Sequence, residues 1–252
     1  MKIGFPPDPR KDILEEIKWI GENGFDFVDL FLEEGRNTPD KIDLLKVKKL
    51  LSQYNLSTVG HLCWNFPLGS SVKTFRDASV IEAERYFKVF SKLNVKYVTV
   101  HSNWSAYFSD DQLINFQVET LKRMVKLANK YKLKLMYEPV GNSKDNIKTV
   151  EMVLSKVKGL FFHLDIGHAN LVEGAEEYIK KFRKKLVHVH MHDNFGEEDL
   201  HLPLGAGSVD WRSVIKTLRK YYDGTITLEV FSSDRDYVLL SKQKLEKLWK
   251  EV

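Results

Sequence analysis

Six ionisable side chains each stand at the end of a short apolar run of this sequence. They are His61, His101, Glu138, Asp165, His190 and Glu229. Imidazole and carboxylate groups, with no group of cysteines beside them, suit borderline to hard divalent cations such as Zn²⁺, Mn²⁺, Co²⁺ and Mg²⁺. The residue types therefore predict a divalent-metal site and give no reason to expect an iron-sulfur or haem centre.

The spacing within the runs indicates that their polar side chains share one face of a strand, because residues two apart in a strand point the same way. The sets with this spacing are His188, His190 and His192; His163 and Asp165; and Thr227 and Glu229. His163 and His188 come earlier in their runs, so we expect them to lie deeper in the fold as structural residues. The later residues are the candidate ligands.

Strand-like runs and helix-like stretches alternate along the whole chain. The runs are residues 2–5, 25–32, 57–63, 97–102, 134–139, 160–168, 186–193 and 225–230, and the helical stretches lie near 11–23, 39–54, 77–93, 110–131, 145–157, 174–185, 210–222 and 236–250. Eight such units predict an α/β fold in which one (β/α)₈ TIM barrel occupies residues 1–252. A doubly wound sheet fits less well, because a glycine fingerprint should follow its first strand, where this chain has FPPDP.

The C-terminal ends of the strands form the mouth of such a barrel and carry the catalytic groups. A lone histidine there is commonly structural, but several carboxylates and imidazoles converging in one lumen would be costly without a cation. Four successive strands supply Glu138, Asp165, His190 and Glu229. We therefore expect these four residues to hold a divalent ion and to leave open positions for substrate or water.

Five further donors accompany this group of four: His61, His101, His168, Asp199 and His201. One cation cannot use all of them. Either more than one ion binds, or some of these residues orient the ligands and the substrate through hydrogen bonds. The residues alone leave both interpretations open.

Composition indicates a globular protein with a full hydrophobic core. The 252 residues, 43% of them hydrophobic, suffice for a full core, and the net charge of +4 comes from 39 basic and 35 acidic residues mixed along the chain. The single cysteine, Cys63, cannot form an intrachain disulfide. Because no signal-like segment opens the chain and no apolar run approaches about 20 residues, we expect a cytoplasmic protein without a membrane span.

The oligomeric state is not determined by the sequence. Barrel helices can pair without a recognisable signature, so a homo-oligomer is one possible state.

Seven motifs together resemble a known superfamily, the xylose isomerase-like TIM barrels. They are HLCW, VTVHS, MYEP, LDIGH, VHMHDN, DLHLPLGAGSVDW and TLEV, in the order that the superfamily uses. The superfamily includes sugar-phosphate isomerases and epimerases as well as endonuclease IV, the family 2 AP endonucleases. The resemblance spans the whole chain and implies the same barrel fold.

In the isomerase and epimerase branch, the resemblance implies a metal held by Glu138, Asp165, His190 and Glu229, with His168 touching a substrate oxygen. The two glutamates would be the catalytic acid and base. One would remove a proton from carbon and the other would return it through an enediolate. A sugar or sugar-phosphate isomerase or epimerase acting on a small molecule is the leading hypothesis.

In the endonuclease IV branch, the resemblance implies a multi-zinc phosphodiesterase that acts at abasic sites in DNA. The counterparts of its ligands are His61, His101, Glu138, Asp165, His168, His190, Asp199, His201 and Glu229. The chain departs from that branch at Cys63 and Trp64, where Pro-Tyr is usual, and at Leu200, where arginine is usual. It also has Gly196 where some epimerases have arginine. A metal-binding barrel without catalysis is the third alternative.

Smaller signals suggest substrate contacts around the mouth. Trp64 and Trp104 follow the first two histidines closely and could stack on a sugar or a base, or simply pack. Gly205 and Gly207 precede a helix and could offer amides to a phosphate or a sugar oxygen. Asp193 could orient a metal-bound histidine.

Overall fold

The eight apolar runs become eight short strands. The computed structural model describes residues 1–35 and 37–252, and within them the strands form one closed parallel barrel in sequence order. The strands are β1 (Lys2–Phe5), β2 (Phe27–Phe31), β3 (Ser57–His61), β4 (Tyr97–His101), β5 (Lys134–Glu138), β6 (Phe161–Asp165), β7 (Leu186–Met191) and β8 (Thr225–Leu228). The prediction of a (β/α)₈ TIM barrel is confirmed.

Helices follow the strands and bury their apolar faces. In the described residues they are α1 (Ile13–Glu22), α2 (Leu44–Gln53), α3 (Lys73–Lys92), α4 (Asp110–Lys130), α5 (Ile147–Lys156), α6 (Ile166–Asn170), α7 (Ala175–Phe182), α8 (Trp211–Tyr221) and α9 (Asp236–Glu251). In α1, for example, Ile13, Ile17 and Ile20 are buried, and Asp12 caps the first turn by accepting hydrogen bonds from backbone amides. No helix in this described part of the chain is both long and apolar enough to span a membrane.

Two segments differ from the prediction. The helix expected near 39–54 divides into a 3₁₀ turn (Pro39–Lys41) and α2, because Asp43 caps α2 by accepting a hydrogen bond from the amide of Lys46. The strand-like run at 160–168 ends at Asp165, which accepts a hydrogen bond from the amide of His168 and begins α6. This early turn places the His168 imidazole over the barrel mouth, with its Nδ1 3.7 Å from Glu138 Oε1.

The barrel lumen changes from apolar to polar toward its mouth. Phe27, Val59 and Met136 form a buried apolar cluster in the lower part. Two residues beyond Phe27 on β2, Asp29 belongs to a fully buried polar layer that also contains Thr99, His163, His188 and Thr227. The apolar cluster shields this layer from solvent below, so its polar groups must find partners inside the protein.

Strand register brings the candidate ligands level with one another. His101 lies opposite Glu138 in the β4–β5 pair, and Asp165 lies opposite His190 in the β6–β7 pair. All eight strands run parallel, so their C-terminal ends open on the same side. Residues far apart in sequence therefore converge at one mouth.

We expect Phe27→Ala to destabilise the barrel strongly, because Phe27 is fully buried in the apolar cluster and its removal leaves a cavity beneath a polar layer. The expected loss is about 3–5 kcal/mol in the free energy of unfolding, measured by urea denaturation. Phe75→Ala is the matched control, since Phe75 is 56% exposed and should cost about 0.5 kcal/mol or less. Equal costs for the two variants would contradict this account of the lumen.

Candidate metal centre and active site

Four ligand candidates meet at the mouth of the barrel. Glu138, Asp165, His190 and Glu229 each offer one donor atom, and these atoms all lie within 4.8 Å of one another. The Nδ1 atom of His190 is at their centre, 2.9 Å from Glu229 Oε2, 3.5 Å from Glu138 Oε1 and 3.8 Å from Asp165 Oδ2. The structure thus brings together the four residues expected from the strand ends.

The chemistry of this group fits a divalent cation. Both carboxylate oxygens of Glu138 and Oδ2 of Asp165 are buried and have no aligned hydrogen-bond partner among the described residues. Burying ionised oxygens without partners is costly unless a positive charge compensates them. Three carboxylates around one imidazole have an excess of negative charge that a divalent ion would balance.

The surrounding imidazoles favour the ionised form of Glu138. Burial raises the pKa of Glu138, but the imidazoles of His163 and His190 outweigh it and hold this pKa well below its usual range. Burial lowers the pKa of His190, but Glu229 and Glu138 outweigh it and raise this pKa well above its usual value. This raised pKa favours the protonated ring, and a cation must displace a proton to bind at Nδ1.

Glu138 also belongs to a second group of donors. His101 Nε2 lies 3.1 Å and His61 Nε2 lies 3.4 Å from Glu138 Oε2, the oxygen that faces away from the first group. The three residues form a compact set of possible ligands. A single carboxylate thus stands between two sets of donors, as it would in a bridging position.

A third group lies on the other side of Asp165. It contains His168, His192, Asp199 and His201. Both His168 Nε2 and His201 Nε2 contact Asp199 Oδ2, at 3.2 and 3.1 Å. His192, which sequence reasoning placed on the same face as His190 without assigning it a role, reaches Asp165 Oδ1 at 3.1 Å through Nε2. Its spacing from His190 was the signal that could have identified it.

The loop that supplies Asp199 and His201 is held by Asp193. Its carboxylate accepts hydrogen bonds from the amide of Gly205 (2.7 Å) and from Trp211 Nε1 (2.8 Å). This differs from the expectation that Asp193 orients a histidine. The amide of Gly205 is therefore already occupied, and a Cβ on Gly207 would lie 2.2 Å from the carbonyl oxygen of Asn194. The amide of Gly205 is thus not available to an anion or a sugar oxygen, and a substrate contact at Gly207 stays a prediction.

The polar layer beneath the ligands contains a residue that sequence reasoning missed. Asp29, fully buried in β2, accepts a hydrogen bond from Nε2 of His190 at 2.8 Å and from Nε2 of His188 at 3.1 Å. Burial raises the pKa of Asp29, but these two hydrogen bonds outweigh it and hold the pKa well below its usual range. His163 and His188 lie at the depth expected of structural residues, and His163 Nδ1 also lies 3.2 Å from Glu138 Oε2.

Two tryptophans expected at the rim have different surroundings. Trp104 is half-buried, and its Nε1 donates to Asp145 Oδ1 at 2.8 Å. Asp145 also accepts from Ser102 Oγ at 2.9 Å, so it ties the loop after β4 to the loop after β5. Trp64 is 63% exposed and free to present its ring to a ligand. Sequence reasoning missed the role of Asp145, which it placed at the start of the helical stretch near 145–157 and which lies in the loop before α5.

A cavity of about 1250 Å³ opens above the ligands. Its lining includes His61, His101, His168, Asp199, His201 and Glu229, together with both rim tryptophans and Phe231. Phe231 stacks on the His201 ring at 4.3 Å between centroids. The volume exceeds the roughly 300–1,000 Å³ of ordinary small-molecule pockets. The donors therefore face a chamber large enough for an organic substrate.

We expect metal uptake by the metal-free protein to release protons and to strengthen as pH rises from about 6 to 8. The pKa of His190 is raised, so the proton competes with the cation at low pH and loses this competition as pH increases. Isothermal titration with MnCl₂ in buffers of different ionisation enthalpy measures both effects. Affinity that does not change with pH, with no proton released, would contradict this placement of the ligand.

Comparison with known proteins agrees with the barrel fold. Residues 17–251 match the family described as xylose isomerase-like TIM barrel. The chain is 32% identical over 153 residues to uncharacterized protein MJ1311 of Methanocaldococcus jannaschii, covering 55% of this chain and 52%, about half, of that protein. It is 20% identical over 237 residues to the probable L-ribulose-5-phosphate 3-epimerase UlaE of Mycoplasma pneumoniae, covering 87% and 77% of the two chains. The crystal structure of a D-tagatose 3-epimerase-like protein superposes on this chain with a TM-score of 0.88 at 23% sequence identity. The superposition covers 99% of this chain and 97% of the other, so the two proteins have the same fold. The chain belongs to the xylose isomerase-like TIM barrel family.

Proposed function

We propose that this protein is a divalent-metal-dependent isomerase or epimerase of a sugar or sugar phosphate. One observation carries the proposal: Glu138 and Glu229 approach the same imidazole nitrogen, Nδ1 of His190, at 3.5 and 2.9 Å beneath a substrate-sized cavity. Two carboxylates near one point can remove a proton from carbon and return it. The names of the similar proteins, a probable ribulose-phosphate epimerase and a tagatose epimerase-like protein, support the same reaction class.

The residues divide the reaction between them. A divalent cation held by Glu138, Asp165, His190 and Glu229 would polarise the carbonyl and the neighbouring hydroxyl of the sugar. Glu138, whose pKa is held well below its usual range, would act as the ionised base that takes the proton from carbon, leaving an enediolate. Glu229, which lines the cavity, would return a proton to the other face, which inverts that carbon. The proton taken up by Glu138 and the proton given by Glu229 would be exchanged with solvent between turnovers.

Residues around the cavity would hold the sugar in place. His168 lines the wall, and its Nδ1 lies 3.7 Å from Glu138 Oε1, so it could contact a substrate oxygen beside the reacting carbon. Asn142 adds an amide group to the lining, which can pair with sugar hydroxyls. The exposed ring of Trp64 offers an apolar surface for the face of a sugar ring.

A second candidate is a multi-zinc phosphodiesterase that acts at abasic sites in DNA. The observation that favours it is that, besides the deeper group of His163, His188 and His190, three groups of donors lie at the mouth in the described residues, with Glu138 shared between two of them. Neighbouring zinc ions can activate water and stabilise both oxygens of a phosphoester displacement. The basic side chains of α7 offer no support for DNA binding, since Lys180 and Lys181 pair with Glu177 and Glu151 at 2.6 and 2.7 Å. This candidate therefore ranks second.

Glu229→Gln and Glu138→Gln should each reduce exchange of solvent deuterium into a ketose by about 10²–10⁴-fold, since each removes one of the two groups that carry the proton. NMR of a panel of ketoses and ketose phosphates in D₂O measures the exchange. Glu15→Gln on the exposed face of α1 is the matched control and should exchange at the wild-type rate. Full exchange in both active-site variants would exclude the two-glutamate mechanism.

Metal content distinguishes the two candidates. We expect one functionally required divalent ion per chain by elemental analysis, and loss of the ketose exchange after treatment with a chelator, restored by adding Mn²⁺ or Co²⁺. Three tightly bound zinc ions, together with cleavage of an oligonucleotide at an abasic site that is lost in Glu138→Gln, would instead establish the phosphodiesterase.

A further inference from the structure

Asp29 connects a strand without a candidate ligand to the centre of the metal site. It lies in the middle of β2, and its Oδ2 atom accepts three hydrogen bonds: from His190 Nε2 at 2.8 Å, His188 Nε2 at 3.1 Å and Thr227 Oγ1 at 2.8 Å. All four side chains are fully buried. The three donors come from β7 and β8, on the other side of β1 in the barrel. Asp29 thus joins strands that are not hydrogen-bonded neighbours.

The protons of this network can be assigned from its chemistry. An ionised carboxylate only accepts hydrogen bonds, so Nε2 of both histidines must carry a hydrogen. In a neutral His190, the only lone pair then lies on Nδ1, the atom that faces Glu138, Asp165 and Glu229. His188 follows the same rule, since its Nδ1 lies 2.7 Å from Thr225 Oγ1, which can donate to it.

The ring of His190 is also held from the side by the same strand. Phe31, two residues after Asp29 in β2, stacks near His190 with 5.9 Å between ring centroids and lies 4.0 Å from the His61 ring. A rotation that exchanged the two ring nitrogens of His190 would break the Asp29 bond and disturb this packing. β2 therefore constrains both the tautomer and the orientation of His190.

We propose that Asp29 is a positioning residue of the metal centre, which orients His190 so that Nδ1 is the atom that binds the cation. This rests on the metal-dependent function proposed above. A carboxylate that holds the remote nitrogen of a metal-bound histidine fixes the ring and makes it a better ligand. Asp29 performs this task from below the site and touches neither the cation nor the substrate.

The test compares two nearly isosteric variants: one removes the negative charge of Asp29, and the other removes a neighbouring hydrogen bond to its Oδ2 atom. Asp29→Asn should weaken Zn²⁺ binding about 10–100-fold, measured by competition of ZnCl₂ between the protein and a chromophoric chelator. Thr227→Val removes another hydrogen bond to the same Oδ2 atom but leaves the His190 contact intact, so zinc affinity should stay near that of the wild type. Circular dichroism of each variant verifies the fold. Wild-type zinc affinity in a folded Asp29→Asn variant would overturn the proposal.

A measurement on the unaltered protein covers the case in which Asp29→Asn does not fold. In zinc-loaded, ¹⁵N-labelled wild-type protein, the imidazole shifts of His190 should show hydrogen on Nε2 and zinc on Nδ1. Coordination through Nε2 would overturn the proposal. If zinc binds with this tautomer but no sugar is turned over, the proposed role of Asp29 stands and the proposed epimerase function is wrong. If the wild-type protein binds no divalent ion, both proposals are wrong.

Discussion

The central constraint on this molecule is negative charge buried at the mouth of a closed barrel. Glu138, Asp165 and Glu229 surround one imidazole, and the oxygens of Glu138 have no aligned protein partner in the described residues. Such an arrangement costs free energy that the apolar core must offset unless a cation is present. The histidines around the mouth compensate part of this negative charge. The negative charge that remains favours binding of a cation at the site.

The lumen is built in layers that make this arrangement tolerable. An apolar cluster of Phe27, Val59 and Met136 occupies the lower part, and a polar layer around Asp29 separates it from the ligands. Barrel interiors are usually filled by branched apolar side chains. In this barrel, polar side chains replace some of those apolar side chains, and their hydrogen bonds orient the candidate ligands above them. The same interior therefore supports the fold from below and aligns the site above it.

Glu138 is the point at which the alternative functions diverge. It faces His190 with one oxygen and the pair His61 and His101 with the other. A single ion at the first group leaves the two histidines free to contact substrate, which suits proton transfer on a sugar. Ions in several groups would make Glu138 a bridge, which suits hydrolysis of a phosphoester. The same fold and the same donor residues would serve either proposed reaction, and the number of ions bound would decide between them.

The amino-acid sequence by itself determined the barrel and the placement of donors at its mouth, because strand order, alternation of faces and the polar end of each run are local properties. Tertiary structure decided which groups touch. Asp29 is 161 residues from His190 in sequence, and no local pattern links them. The contacts of His192 and Asp145 likewise join residues that are distant in sequence. The amide of Gly205 donates to Asp193 and so cannot donate to a ligand. Contacts across a lumen depend on closure, register and side-chain rotamers, which exist only once all eight strands have come together.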